Sequence, residues 1–320
     1  MKKIFIITIV FLVTFVTVAF ASDLVIESDT QSYNEKDSKI NFNGNVKVSV
    51  DDVHVVGDKA DVTVTKKNKL DTATFYDKPY AYQVQQNKKR EVKANILKVS
   101  LITKIVRAEG DTQSIVTDGK NPMVMITADT QEYDINTNVL TAVGGVIIKY
   151  QDVQTFSDKA VIKTDKNGEL KKLDLYGNAK VQEKVSNAEA DHFSYDATKE
   201  ELFAEGNTMT HTETDDNVPL TVKSKYQQYN KAHNIYNASG NVRVWYDGYY
   251  AKGPKMSVFP DPKTTKFNEV FFTGRSLINQ GDKTIFADKI KMTLTPKDFY
   301  AEGKVKTVIK NISKESVEEN

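Results

Sequence analysis

A 21-residue stretch occurs three times in this chain, and that recurrence limits the possible folds more than any single motif. The copies are IESDTQSYNEKDSKINFNGNV from Ile26 to Val46, ITADTQEYDINTNVLTAVGGV from Ile126 to Val146, and VKSKYQQYNKAHNIYNASGNV from Val222 to Val242. Equivalent glycines are Gly44, Gly144 and Gly240, and equivalent tyrosines are Tyr33, Tyr133 and Tyr229. Self-similarity at a long fixed period fixes the architecture before any motif is read. Each copy reads as a strand, a polar turn (Asp134–Asn138 in the middle one) and a second strand.

The same alternation continues between the copies. Apolar residues occupy every second position through Ile40, Phe42, Val46 and Val48, through Leu173, Leu175, Ala179 and Val181, and through Phe299, Ala301, Val305, Thr307 and Ile309. Period two with Val, Ile, Thr, Tyr and Phe enrichment predicts half-buried β-strands. Turn signals separate them at Asp165–Gly168, Asp247-Gly248 and Pro260–Pro262. No stretch has a convincing helical period. Asn187–His192 and Thr198–Leu202 come nearest, and both fit the repeat as strand and turn. The fold class expected is all-β.

Each large repeat holds three smaller ones. A small unit opens on a small residue, usually followed by a polar one, as at Ser28-Asp29, Ala128-Asp129 or Ala190-Asp191. It then carries a strand centred on a glycine: Gly44, Gly110, Gly144, Gly177, Gly206, Gly240, Gly274 and Gly303, with Asp77 in the one remaining place. Nine small units in three modules result. The expected division is a leader over 1–21, then modules over 22–120, 121–217 and 218–320, the last with a polar tail.

The glycines share strand parity with the apolar residues, and Ala108, Ala142, Ala204, Ala238 and Ala301 stand two positions before a glycine. A column of small residues on the inward face predicts a sharp bend or two closely approaching layers. The large aliphatics on either side then face a wider space. The expectation is a folded-over sheet with a tight crease and an apolar interior, stacked so that each unit covers only its neighbours.

Lys2 and Lys3 precede an apolar run over Ile4–Phe20 that ends in Ala19-Phe20-Ala21 before Ser22-Asp23. This is the pattern of a cleavable secretory leader; a retained membrane anchor is the other reading of the same run. Without Lys2 and Lys3, the 44 positive charges become 42 against 43 negative ones. So balanced a chain is not a nucleic-acid binder by electrostatics. There is no Cys, so neither disulfides nor a lipidated cysteine is expected.

Ile26-Glu-Ser-Asp29 followed by Phe42-Asn-Gly-Asn-Val46 resembles the OstA/LptA-like family of periplasmic lipopolysaccharide-transport proteins. Ala128-Asp129 to Tyr133 and then Gly144-Gly145-Val146 look like further copies. The resemblance implies an elongated β-jellyroll of stacked antiparallel strands, open at both ends, with an apolar groove that shields acyl chains. It implies a periplasmic carrier of lipopolysaccharide between inner and outer membranes. It also implies strand pairing with LptC-like and LptD-like jellyrolls at the two ends, or head-to-tail with further copies. The chain departs from the family pattern in carrying about three modules where a periplasmic member carries fewer, so one long chain could stand in for several short ones.

Physics suits that role. Exposing acyl chains to water costs roughly 0.8 kcal/mol per methylene, and a repeat lowers that cost about equally along its length. With ~4.8 Å between strands and about a dozen strands per layer, the stack would be on the order of 60 Å long.

The candidate lipid wall is Leu24, Ile26, Ile40, Phe42, Val46, Val48, Leu140, Val146, Ile148, Leu173, Leu175, Val242, Val244, Phe272, Phe299 and Val305. Ordinary core packing is the competing reading of each one. The four histidines, His54, His192, His211 and His233, lack metal-ligand spacing, and no metal or other cofactor is expected. Asp29, Asp129, Asp158, Asp191 and Asp288 read as turn-opening residues that cap local backbone donors. Trp245–Tyr250 gathers aromatics that would pair across strands or stack on a sugar. No nucleophile, phosphate-loop or acid-pair motif is present, so no enzymatic activity is expected. A structural or polysaccharide-binding β-solenoid of the cell envelope is the alternative function.

Overall fold

Alternating sequence becomes strand throughout. The computed structural model describes residues 24–311, apart from 51, 68, 86, 87, 120, 167, 215, 216 and 295. The leader read over 1–21 and the tail Lys314–Asn320 lie outside the described residues. The chain forms two compact units, one ending at Ala179 and the other beginning at Lys180. Among the described residues there is no helix.

The first unit contains β1 (Val25–Glu27), β2 (Thr30–Asn34), β3 (Lys39–Val50), β4 (Val53–Val64), β5 (Leu70–Tyr76), β6 (Tyr80–Gln85), β7 (Lys88–Lys93), β8 (Ile96–Ser100), β9 (Ile105–Asp118), β10 (Asn121–Asp134), β11 (Val139–Tyr150) and β12 (Val153–Thr164). The division falls within β13 (Leu170–Glu183). The second unit continues with β14 (Ser186–Asp196), β15 (Glu201–Glu213), β16 (Pro219–Asn230), β17 (Ile235–Tyr246), β18 (Tyr249–Pro260), β19 (Phe267–Gln280), β20 (Lys283–Leu294), β21 (Lys297–Glu302) and β22 (Lys306–Ile309). The expected module boundaries fall at the β9–β10 and β15–β16 links. Sequence repeat and compact unit therefore partition the chain differently.

Each long strand contributes to two ladders, one on either side of a central bend. Where strands are interrupted at the bend, the two ladders separate cleanly. On one side β4 pairs β5, β5 pairs β8 and β8 pairs β9; on the other β4 pairs β6, β6 pairs β7 and β7 pairs β9, all antiparallel. β1 and β2 take the two halves of β3, and β21 and β22 take the two halves of β20. Elsewhere the strands run through the bend with a register shift. On β11 it lies between Val143 and Val146, and on β17 between Ser239 and Val242. Such an extra residue kinks a strand and increases its twist.

The bends stand at the nine places read from the sequence: positive φ occurs at Gly44, Gly110, Gly144, Gly177, Gly206, Gly240, Gly274, Gly303 and Asp77. At Asp77 and Lys78, both left-handed, the strand breaks into β5 and β6 instead of bending through. Asp tolerates the left-handed region better than most side chains.

The bend corrects the reading of the repeated aspartates. Four of the five do not open turns, while Asp29 stands at the break between β1 and β2. Asp129, Asp158, Asp191 and Asp288 lie inside β10, β12, β14 and β20, and each side chain packs over the glycine of the next bend. The residue after the glycine often completes the contact: the side-chain amide of Asn45 donates to Asp29 at 3.0 Å, and that of Asn178 to Asp158 at 3.0 Å. Close approach at the glycines is thus with a neighbouring strand, not with the opposite layer of the interior. Register explains it, because antiparallel pairing brings together residues that a turn separates in sequence.

Inward residues fill the space between ladders. In the first unit Phe42, Val46, Phe75, Leu97, Ile126, Leu140, Val146, Ile148, Ile162, Leu173 and Leu175 are buried, as is Ala142 before the bend. Polar groups are buried with them. Gln131 Nε2 donates to Thr112 Oγ1 at 2.9 Å, and its Oε1 accepts from Ser114 Oγ at 2.7 Å. The same knot recurs in the second unit, where Thr210 Oγ1 donates to Gln227 Oε1 and Gln227 Nε2 donates to the Val222 carbonyl. Satisfied buried polar groups specify register, since an unpaired one is costly.

Candidate lipid-binding cavity

In the second unit the interior is not filled. A cavity of ≈ 930 Å³ lies between the ladders of β14–β20. Its walls are apolar: Phe193 from β14, Leu202 and Ala204 from β15, Val222 from β16, Tyr236 and Val244 from β17, Ala251, Met256 and Val258 from β18, Val270 and Phe272 from β19, and Met292 from β20. A smaller space of ≈ 320 Å³ shares Tyr246, Tyr249 and Met292 with it and is also walled by Ile285 and Phe299. Protein cores ordinarily leave few voids larger than a water molecule. An apolar space of this size lies at the upper end of ligand-pocket volumes.

The cavity exists because the ladders splay. Close to the bends Ala204 is buried, and Ala238, Val242, Ala251 and Phe272 belong to the apolar cluster of this unit. Farther from the bends, Tyr236, Tyr246, Val258, Val270 and Met292 are only partly buried against that cluster. The rim is polar. Lys231, His233 and Asn234 stand in the β16–β17 turn, and Asp261 and Thr264 in the β18–β19 turn. Asn234 Nδ2 donates to the Thr265 carbonyl at 2.6 Å and ties the two turns together.

One polar group is enclosed behind this apolar lining. The Tyr236 hydroxyl is buried, and the Thr210 hydroxyl is its polar neighbour. Burial holds its phenol well above the ordinary range, with the Thr210 hydroxyl acting in the opposite sense.

Of the predicted wall, Val244 and Phe272 line the large cavity and Phe299 the small one. Val242 is buried in the cluster beside them. Phe42, Val46, Leu140, Val146, Ile148, Leu173 and Leu175 are buried in the first unit, and Ile26, Ile40 and Val48 are half-buried there. Leu24, Phe299 and Val305 are 39%, 36% and 52% exposed. The inward position expected from parity is not realised at Leu24 and Val305, because each lies outside a strand, just before β1 or β22. The sequence reading missed Tyr236, Met256 and Met292. A signal existed for Tyr236, which has the parity of Ala238 and Val242.

The histidines are separately engaged. His54 Nδ1 lies 3.0 Å from Ser49 Oγ, His192 Nδ1 3.6 Å from Glu205, His211 Nδ1 2.9 Å from Thr221 Oγ1, and His233 Nδ1 2.9 Å from Asn230 Oδ1.

Comparison with protein families matches residues 25–123 and 125–209 to the family described as LptA/(LptD N-terminal domain) LPS transport protein. The chain belongs to this LPS transport family. Its matched segments run from β1 into β15, so most of the cavity wall lies beyond them, on strands that continue the same repeat. Comparison with curated proteins finds no match. Among solved structures, a similar one is the crystal structure of LptH, the LptA homologous periplasmic component of the conserved lipopolysaccharide transport device from Pseudomonas aeruginosa. The likeness has a TM-score of 0.36 at 12% identity and covers 40% of this chain and 95% of that one. The family assignment does not depend on it.

Proposed function

We propose that this LPS transport family member is a periplasmic, non-enzymatic carrier that holds the acyl chains of lipopolysaccharide in its apolar interior on their way between the inner and outer membranes. The observation that carries this reading is the unfilled ≈ 930 Å³ cavity of the second unit, walled by Val244, Met256, Phe272 and Met292. An acyl chain entering it leaves water at a gain of roughly 0.8 kcal/mol per methylene. The polar rim at Lys231 and His233 would meet the charged head group.

The inward residues of the first unit, from Phe42 to Leu175, would form an apolar lining of their own when ligand spreads the ladders there. Bridging would use the terminal strands. Among the described residues β1 and β2 pair only with β3, and β21 and β22 only with β20, so each leaves a ladder edge. Free edges accept a further strand. LptC-like and LptD-like jellyrolls are the proposed partners, with head-to-tail pairing of two copies as a further use of the same edges.

Mass spectrometry of lipid that co-purifies with the protein from the periplasm tests the reading. Lipopolysaccharide in near-stoichiometric amount is expected. Recovery of lipid-free protein, or of phospholipid alone, would refute it.

A further inference from the structure

β16, β17 and β18 turn one face to the cavity and the other outward. Across these three strands the sequence holds five cations, Lys223, Lys225, Arg243, Lys252 and Lys255, and no Asp or Glu. The chain as a whole is nearly neutral, so the concentration is local. Three of the cations are direct ladder partners, Lys223 opposite Arg243 and Arg243 opposite Lys252. All three side chains are exposed, and none of them takes part in an ion pair among the described residues. Like charges directly opposite each other destabilise a sheet, so the row is a standing cost to the fold.

Trp245 lies beside that row. It is 39% exposed, sits directly opposite Tyr250 in the ladder with ring centroids 5.4 Å apart, and has Lys223 Nζ 6.0 Å from its ring centroid. It is the one large hydrophobic on these three strands that is exposed among the described residues. The first unit provides an internal comparison. There, on other strands of the repeat, His54 of β4 and Tyr82 of β6 lie opposite each other and stack at 5.0 Å, beside Tyr80 and Lys89. That cluster is neutralised from within, because Glu91 pairs with Lys89 at 2.8 Å and accepts from the Tyr80 hydroxyl. The face of β16–β18 gathers an aromatic and cations with no acid on its own strands.

We propose that the outer face of β16–β18 is a binding site for an anionic saccharide, with Trp245 stacking on a sugar ring and Lys223, Arg243 and Lys252 meeting its phosphate or carboxylate groups. Aromatic faces present carbon and a negative quadrupole to the ring's C–H bonds. Cations spaced by one strand separation, ~4.8 Å, match charges distributed along a chain of sugars. A lipid surface fits less well, since it wants several apolar side chains to insert and this face offers one. The site lies on the opposite side of the sheet from the cavity, so it is independent of acyl-chain binding.

Trp245 is the only tryptophan in the chain and reports directly. The full chain is titrated with an acyl-free phosphorylated oligosaccharide, with a neutral dextran oligomer of equal length, and with vesicles of phosphatidylglycerol and phosphatidylcholine. A saturable change in Trp245 fluorescence is expected with the phosphorylated sugar, weakening as salt rises, and none with dextran. The double variant Arg243→Ala/Lys252→Ala should raise the Kd at least tenfold while unfolding at or above the wild-type temperature. Lys252→Glu, supplying the missing acid, should weaken binding in the same direction. No saturable change with the phosphorylated sugar, a response to vesicles alone, an equal response to dextran, or unaltered affinity in both variants would overturn the proposal.

Discussion

The carboxylate of Asp129 lies over Gly144: a Cβ built at Gly144 would come within 2.1 Å of Oδ2. The same relation joins Asp29 to Gly44, Asp158 to Gly177 and Asp191 to Gly206. The bend that shapes the interior is therefore held from outside, by an exposed acid on the neighbouring strand, and its residue types follow from that contact.

Replacing Gly144 with Ala should destabilise the protein by roughly 2 kcal/mol or more. Its φ of +84° alone disfavours an L-side chain by about 1–2 kcal/mol, and the contact with Asp129 adds to this. The double variant Gly144→Ala/Asp129→Ala should recover part of the loss. Chemical denaturation of the four proteins checks this, and strict additivity would show that the carboxylate contact is immaterial.

Gln131 is a second point of leverage. Gln131→Leu leaves Thr112 Oγ1 and Ser114 Oγ without their amide partner inside the first unit. A loss of about 1–3 kcal/mol is expected. Denaturant unfolding measures it, and an unchanged midpoint would mean that the knot contributes nothing.

Acid sensitivity follows from Glu109. The hydrogen bond from Lys98, helped by the charges of Lys98 and Arg107 and opposed by burial, holds its carboxyl below the ordinary 4.5. The folded state then binds this proton less readily than the unfolded chain. The stabilisation is complete above about pH 4.5 and is lost as pH falls through the lower folded value. The side chains are 41% and 25% exposed, so less than about 1 kcal/mol is at stake. Glu109→Gln should show a shallower fall in Tm below pH 4.5 than wild type; identical slopes would remove this pair from the account.

Filling the cavity separates transport from folding. Ala251 is buried on the cavity wall. Ala251→Phe should alter stability by less than about 1 kcal/mol, whereas overpacking a filled core costs typically 1–3 kcal/mol. Co-purifying lipid should drop several-fold. A strongly destabilised variant would show that the space is already occupied by protein.

Period two made the strands legible from sequence, and the spacing of Gly44, Gly144 and Gly240 made the bends legible. Even Asp77, standing where a glycine was expected, takes positive φ. The contact between Asp129 and Gly144 was not legible, because only the register of β10 on β11 brings together residues on opposite sides of a turn. Nor was the location of the cavity. Val146 and Val242 share the repeat position and are both buried, yet the large cavity lies in the second unit, where the wall depends on how far the ladders splay beyond Ala238 and Ala251. The outer cations of β16–β18 were visible as letters, but their facing arrangement needed the pairing of Lys223, Arg243 and Lys252.

The most direct test places a photo-crosslinking amino acid at Phe272, on the cavity wall, and at Thr273, its exposed neighbour on β19. Irradiation of living cells should yield a lipopolysaccharide adduct at position 272 and none at 273. No adduct at 272, or equal adducts at both positions, would contradict an acyl-binding interior.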